Sequence, residues 1–163
     1  MSRSTLAPAG LLLLATLCLP TAGAQAAIAS PFAAMAGSWS GDGVLSTSDG
    51  GQERLRCRAS YDVAGTGTQL RLNLKCASES YNFDLASEVQ YRDGAISGAW
   101  TESSRNASGT LSGRAAGDRI DAAARGENFS ANLSLTTRGS RQTVSIHPEG
   151  SNVTAVSLAL SRR

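Results

Sequence analysis

Apolar and polar residues alternate with a period of two along most of the chain, and short turns rich in glycine and aspartate interrupt them. That period belongs to half-buried strands and not to helices. The clearest run covers positions 53–63. Leu55, Cys57, Ala59, Tyr61 and Val63 share one face, and Arg54, Arg56, Arg58, Ser60 and Asp62 share the other. A glycine-rich turn at 64–68 leads into 69–77, where Leu70, Leu72, Leu74 and Cys76 oppose Gln69, Arg71, Asn73 and Lys75. Setting Cys57 opposite Cys76 aligns Ala59 with Leu74, Tyr61 with Leu72 and Val63 with Leu70. The same register sets Arg54 against Glu79 and Asp62 against Arg71 on the polar face. A slip of one residue would turn every apolar side chain outward, so the disulfide, the apolar face and the charges specify one pairing.

The pattern continues to the end of the chain. Tyr81, Phe83, Leu85, Val89 and Tyr91 alternate inward, and Asp93-Gly94 turns the chain into a strand carrying Ile96 and Trp100. A polar loop is expected over 102–108. An alanine-rich hairpin follows around Gly117-Asp118, then strands with Phe129, Ala131, Leu133 and Leu135, with Val144 and Ile146, and with Val156, Leu158 and Leu160. Turns are expected at Gly139-Ser140 and over 148–151. This makes about nine or ten antiparallel strands joined by short turns, an all-β up-and-down meander. Closure into a barrel removes exposed strand edges and is favoured for that reason, with a two-sheet sandwich as the alternative. Gly98, Gly113 and Gly126 inside strand patterns suit the bends of a closing sheet.

Length and composition bound the rest. The chain has 163 residues, enough for one domain. It is 41% hydrophobic with 17 glycines, too apolar for disorder and too glycine-rich for a helix bundle. Fifteen basic residues face thirteen acidic ones, and the net charge of +2 argues against nucleic acid as partner. Near the start, Arg3 precedes a short apolar run at 11–19, and small residues at 22–26 fit a signal-peptide cleavage site. Residues 1–26 are therefore expected to be a signal, 27–36 a featureless lead-in and 37–163 a single β domain, periplasmic or secreted. The run is short for a membrane span, and Leu17 before Cys18 is a poor lipoprotein site. Loss of Cys18 with the signal leaves Cys57 and Cys76 as an even pair, expected to form a disulfide in an oxidising compartment.

Gly37-Ser38-Trp39 at the head of the first strand resembles the Gly-x-Trp start of lipocalins and related calycin barrels. That resemblance implies that Trp39 closes the base of a barrel and stacks on an arginine from a late strand, with Arg138, Arg162 and Arg163 as candidates. Gly98-Ala99-Trp100 repeats the triplet, and Trp100 reads as a core residue. The segments 39–43, 53–58 and 76–81 also resemble short exported proteins of unknown function from rhizobia and related alphaproteobacteria. This likeness implies export and a β fold and transfers no activity.

Chemistry is sparse. His147 is the sole histidine, and no sequence feature supplies it with the partner a general base needs. A lone histidine also gives little support to an axial haem ligand. No Gly-x-Ser-x-Gly elbow, phosphate loop, zinc spacing or calcium loop occurs, so no metal, cofactor or enzymatic role is expected. Two readings remain. The first is an exported monomeric barrel that holds a small apolar or amphipathic ligand, with Trp39, Tyr61, Tyr81, Phe83 and Trp100 as candidate contacts. The second is a cell-envelope structural or interaction protein, whose basic face of Arg54, Arg56, Arg58, Arg71 and Lys75 meets an anionic partner. A wide barrel with those arginines turned inward is a variant of the same idea.

Overall fold

The computed structural model describes residues 30–163. A single-turn helix α1 (Phe32–Met35) precedes ten strands: β1 (Gly37–Thr47), β2 (Gln52–Ala64), β3 (Gln69–Ala77), β4 (Asn82–Arg92), β5 (Ala95–Glu102), β6 (Ala107–Ala116), β7 (Arg119–Gly126), β8 (Ser130–Arg138), β9 (Arg141–Glu149) and β10 (Val153–Arg162). Each strand pairs antiparallel with the next, and β10 pairs with β1, so the meander closes into a barrel without edges.

The β2–β3 register is the one that the side-chain pattern specifies. Cys57 faces Cys76 and the two are bonded. Ala59 lies opposite Leu74, Tyr61 opposite Leu72 and Val63 opposite Leu70. The charge pairs at the ends of this ladder differ from expectation. β3 stops at Ala77, so Glu79 falls in a loop and Arg54 reaches across to Asp42 on β1 instead, at 3.6 Å. Asp62 does stand opposite Arg71, but the guanidinium turns to Glu88 on β4, at 3.0 Å. Every barrel strand has two neighbours, and the second neighbour takes the charge.

The barrel's seam explains the glycines of β1. A Cβ on Gly41 would lie 2.0 Å from the Ala159 carbonyl oxygen of β10, inside any permissible contact. The same applies to Gly98, whose Cβ would meet the Glu88 carbonyl oxygen at 2.1 Å. Gly113 also abuts a neighbouring strand, while Gly126 sits beneath the Trp100 ring, so the bends expected at these positions coincide with close approaches.

Two turns are shorter than the polar pattern implies. Glu102 and residues 107–108 belong to strands, and Pro148 lies within β9, paired with Ala131. The lead-in is not featureless: residues 32–35 form α1, with Phe32 and Met35 fully buried in the core. Four residues are too few to show a helical period, so this element was invisible to periodicity. The expected signal at 1–26 lies outside the described residues.

Candidate functional site

Side chains at alternate positions of all ten strands converge on the barrel axis, and they are apolar almost throughout. The polar faces of the strands, with Arg54, Arg56, Arg58, Arg71 and Lys75, look outward, which removes the variant with those arginines lining the interior. The interior does not fill completely. A cavity of about 520 Å³ runs along the axis, within the range of about 300–1,000 Å³ usual for small-ligand sites.

The reason for the void lies in residue size. The β2, β3 and β10 side of the wall carries Leu55, Leu70, Leu72, Leu74 and Leu158. The β5–β7 side carries Gly98, Gly113, Ala122 and Ala124 at inward positions, interspersed with Ile96, Trp100, Leu111 and Ile120. The four small residues leave space that the larger side chains around them do not fill.

One end of the cavity is sealed. α1 lies across it, with Phe32 and Met35 forming the floor beside Tyr61. Trp39 sits below this floor and is 1% exposed. Its indole N–H donates to the Met35 carbonyl at 2.7 Å, and its ring meets Tyr61 edge to face. Arg162 covers the other face of Trp39 at 4.7 Å from the ring centroid. The same guanidinium donates to the Ala36 carbonyl at 2.8 Å and to that of Ala34. One arginine thus clamps the indole and caps the exposed carbonyls of α1. Of the three candidate arginines, Arg162 alone makes this contact; Arg138 is paired with Asp118, and Arg163 donates to Ser40.

A small polar layer also lies at the floor. The Tyr61 hydroxyl donates to Gln142 Oε1 at 2.6 Å, and Gln142 Nε2 donates to Thr137 Oγ1 at 3.0 Å. Burial pushes the Tyr61 phenol well above its ordinary range, against the smaller opposing effect of Gln142, so it remains a protonated donor. Ser87, also turned inward, spends its hydroxyl on the Ala99 carbonyl. Among the described residues no buried side-chain polar atom lacks a partner, so no buried polar group in the deep cavity depends on a ligand to satisfy it.

The opposite end is the mouth, framed by the loops at 78–81, 103–106, 127–129 and 150–152. Tyr81 and Phe83 stack there with nearly parallel rings, and Phe129 meets Trp100 edge to face. Arg105 lies over Phe83 at 4.8 Å and donates to the Asn82 carbonyl. The 103–106 loop is organised by Glu102, which accepts the backbone N–H groups of Asp84, Ser104 and Arg105. Burial alone would raise the Glu102 carboxyl, but the converging N–H groups outweigh it and hold the group below the usual carboxylate range.

The candidate contacts therefore divide. Tyr61, Tyr81, Phe83 and Trp100 line the cavity, whereas Trp39 is beneath its floor and does not reach it. Phe32, Met35 and Phe129 line it too and were not singled out from the sequence. Phe129 precedes a strand by one residue, and its place on an inward face was the signal.

The basic face also divides. Arg54, Arg71 and Lys75 are neutralised by Asp42, Glu88 and Asp84. Arg56 and Arg58 have no ion pair among the described residues. His147 is exposed on the outer wall opposite Asn132 and points away from the cavity. It shares a shallow outer hollow with Ser112, Asp121 and Ser145, yet hydrogen-bonds to none of them, and Asp121 is committed to Arg119. No group of three or more metal-binding side chains occurs among the described residues.

No protein-family model matches the chain. No curated protein matches it either. The barrel is similar to a solved structure, "Crystal Structure of Rv2717c from M. tuberculosis". The two superpose with a TM-score of 0.63 over 80% of this chain and 93% of that one, at 14% identity. At so low an identity the likeness to Rv2717c shows the fold alone.

Proposed function

We propose that the protein binds a small apolar or amphipathic molecule in the barrel interior, without catalysing a reaction on it. The observation that carries this reading is the apolar cavity of about 520 Å³, sealed by α1 and Trp39 at one end and aromatic at the other. Its walls have no unpaired polar group, so hydrocarbon or aromatic surface is what it accommodates best. A ligand's polar end, if it has one, faces the mouth, where Arg105, Asn128 and Asn152 stand. The space is open to solvent at the mouth, and water inside it meets almost only apolar wall, so an apolar molecule that displaces that water gains the hydrophobic free energy of burial. An exported setting agrees with the disulfide and the N-terminal apolar run, and belongs to the same proposal.

The test is a fluorescence titration with 1-N-phenylnaphthylamine, an uncharged aromatic probe. Wild-type protein should enhance and blue-shift its emission with saturable binding. Ala122→Phe, which places a ring in the void from the small-residue wall, should weaken binding at least tenfold while leaving the circular dichroism unchanged. Absence of saturable binding by the wild type, or equal binding by a folded Ala122→Phe, refutes the reading.

A further inference from the structure

The outer wall carries one feature that the cavity does not use. Lateral pairing aligns Lys75, Arg58, Ser40, Ser161, Arg141 and Arg138 in a single row that crosses six strands. All six positions look outward. The row contains four cations, two hydroxyls and no carboxylate. Arg163 joins it by donating to Ser40 Oγ. Lys75 and Arg138, at its two ends, are tied to Asp84 and Asp118. The central members, Arg58 and Arg141, have no ion pair among the described residues. With strands about 4.8 Å apart, Arg58 and Arg141 stand about 14 Å from each other across β2, β1, β10 and β9.

We propose that this arginine–serine belt docks the protein on a membrane surface rich in anionic phospholipid. The wall is convex here and forms no groove, so it has no means of enclosing a single small anion. Such a surface suits a partner that presents many phosphates in one plane, each met by a different guanidinium. Serine hydroxyls between the arginines add neutral donors to phosphate oxygens. The loops at the mouth have the opposite sign. The mouth rim carries Asp49, Glu53, Glu79, Glu127 and Glu149 against Arg105, so an anionic surface repels that end and attracts the belt. This contact is independent of whether the cavity holds a ligand.

Vesicle co-sedimentation tests the proposal, with vesicles of phosphatidylcholine alone and with 30 mole per cent phosphatidylglycerol. Binding should require the anionic lipid and fall as salt rises. Arg58→Gln with Arg141→Gln should weaken it on the order of fivefold per residue replaced. Arg71→Gln, which removes an already paired guanidinium, should leave it within twofold. Both variants sit on the exposed wall, and unchanged near-ultraviolet circular dichroism establishes their folding. Equal binding to neutral vesicles, or loss equal for the paired and unpaired variants, overturns the proposal. Retention on heparin that needs Arg58 and Arg141, without binding to anionic vesicles, also overturns it and assigns the belt to a polyanionic chain.

Discussion

Arg162 does more than any other single side chain to hold the base together. It stacks on Trp39, and its two terminal nitrogens hold the last carbonyls of α1. Arg162→Ala should cost about 1–2 kcal/mol in urea unfolding, since the group is solvent-accessible and its bonds are partly replaced by water. Arg162→Lys should recover less than half, because an ammonium cannot span both carbonyls while lying flat on the ring. Glu102 governs the mouth in the same way. Its folded pKa lies below the unfolded value, so its contribution is complete above the unfolded pKa and is lost as pH falls through the folded one. Amide protection factors at residues 103–106, taken relative to the intrinsic exchange rate at each pH, should therefore fall in acid before the barrel unfolds, and Glu102→Gln should show that loss of protection already at neutral pH. Protection in that loop that is independent of both acid and the substitution would show that the carboxylate does not organise it. Arg162 was one of three arginines that the sequence offered to Trp39, whereas the part of Glu102 was not legible there, since it read as the first residue of a polar loop.

At the level of elements, the β2–β3 hairpin and α1 contrast. The hairpin's register followed from the spacing of two cysteines and an alternation long enough to leave no second solution. Its disulfide closes a loop with a sequence separation of 19, which the chain-entropy account values at roughly 3 kcal/mol. Reduction, or replacement of both cysteines by alanine, should lower the unfolding free energy by about that amount and leave a folded barrel at 25 °C. A fully unfolded reduced protein would mean that the ten strand pairings cannot hold the barrel without it. α1, by contrast, is one turn, and nothing in its local sequence demands helix; Phe32 and Met35 are drawn in because the barrel's end is apolar and open.

For the whole molecule, the decisive property is the uneven thickness of the wall. Gly98, Gly113, Ala122 and Ala124 interrupt the larger inward side chains of β5, β6 and β7, whereas leucines dominate β2, β3 and β10. An apolar occupant at about 100 times its dissociation constant would stabilise the barrel by about 2.7 kcal/mol, or roughly 10 °C in melting temperature for a domain of this size. A thermal-shift series of neutral aromatic and aliphatic compounds should find such shifts. They should vanish in Ala122→Phe, and a uniformly flat series would count against an accessible interior. Rv2717c, whose fold is similar, demonstrates that this architecture recurs at 14% identity.

Alternation, turn chemistry and cysteine spacing were sufficient to determine strands, order, register of the first long hairpin and the inward face, because each is a short-range property of neighbouring residues. The cavity, the plug and the belt were decided only on closure. Closing the ring brings β10 beside β1, sets Arg162 on Trp39 from 123 positions away, and aligns Arg58 with Arg141 through two strands between them. Interior volume depends on the sum of opposing side chains, and opposition across a ring is not encoded in any local pattern.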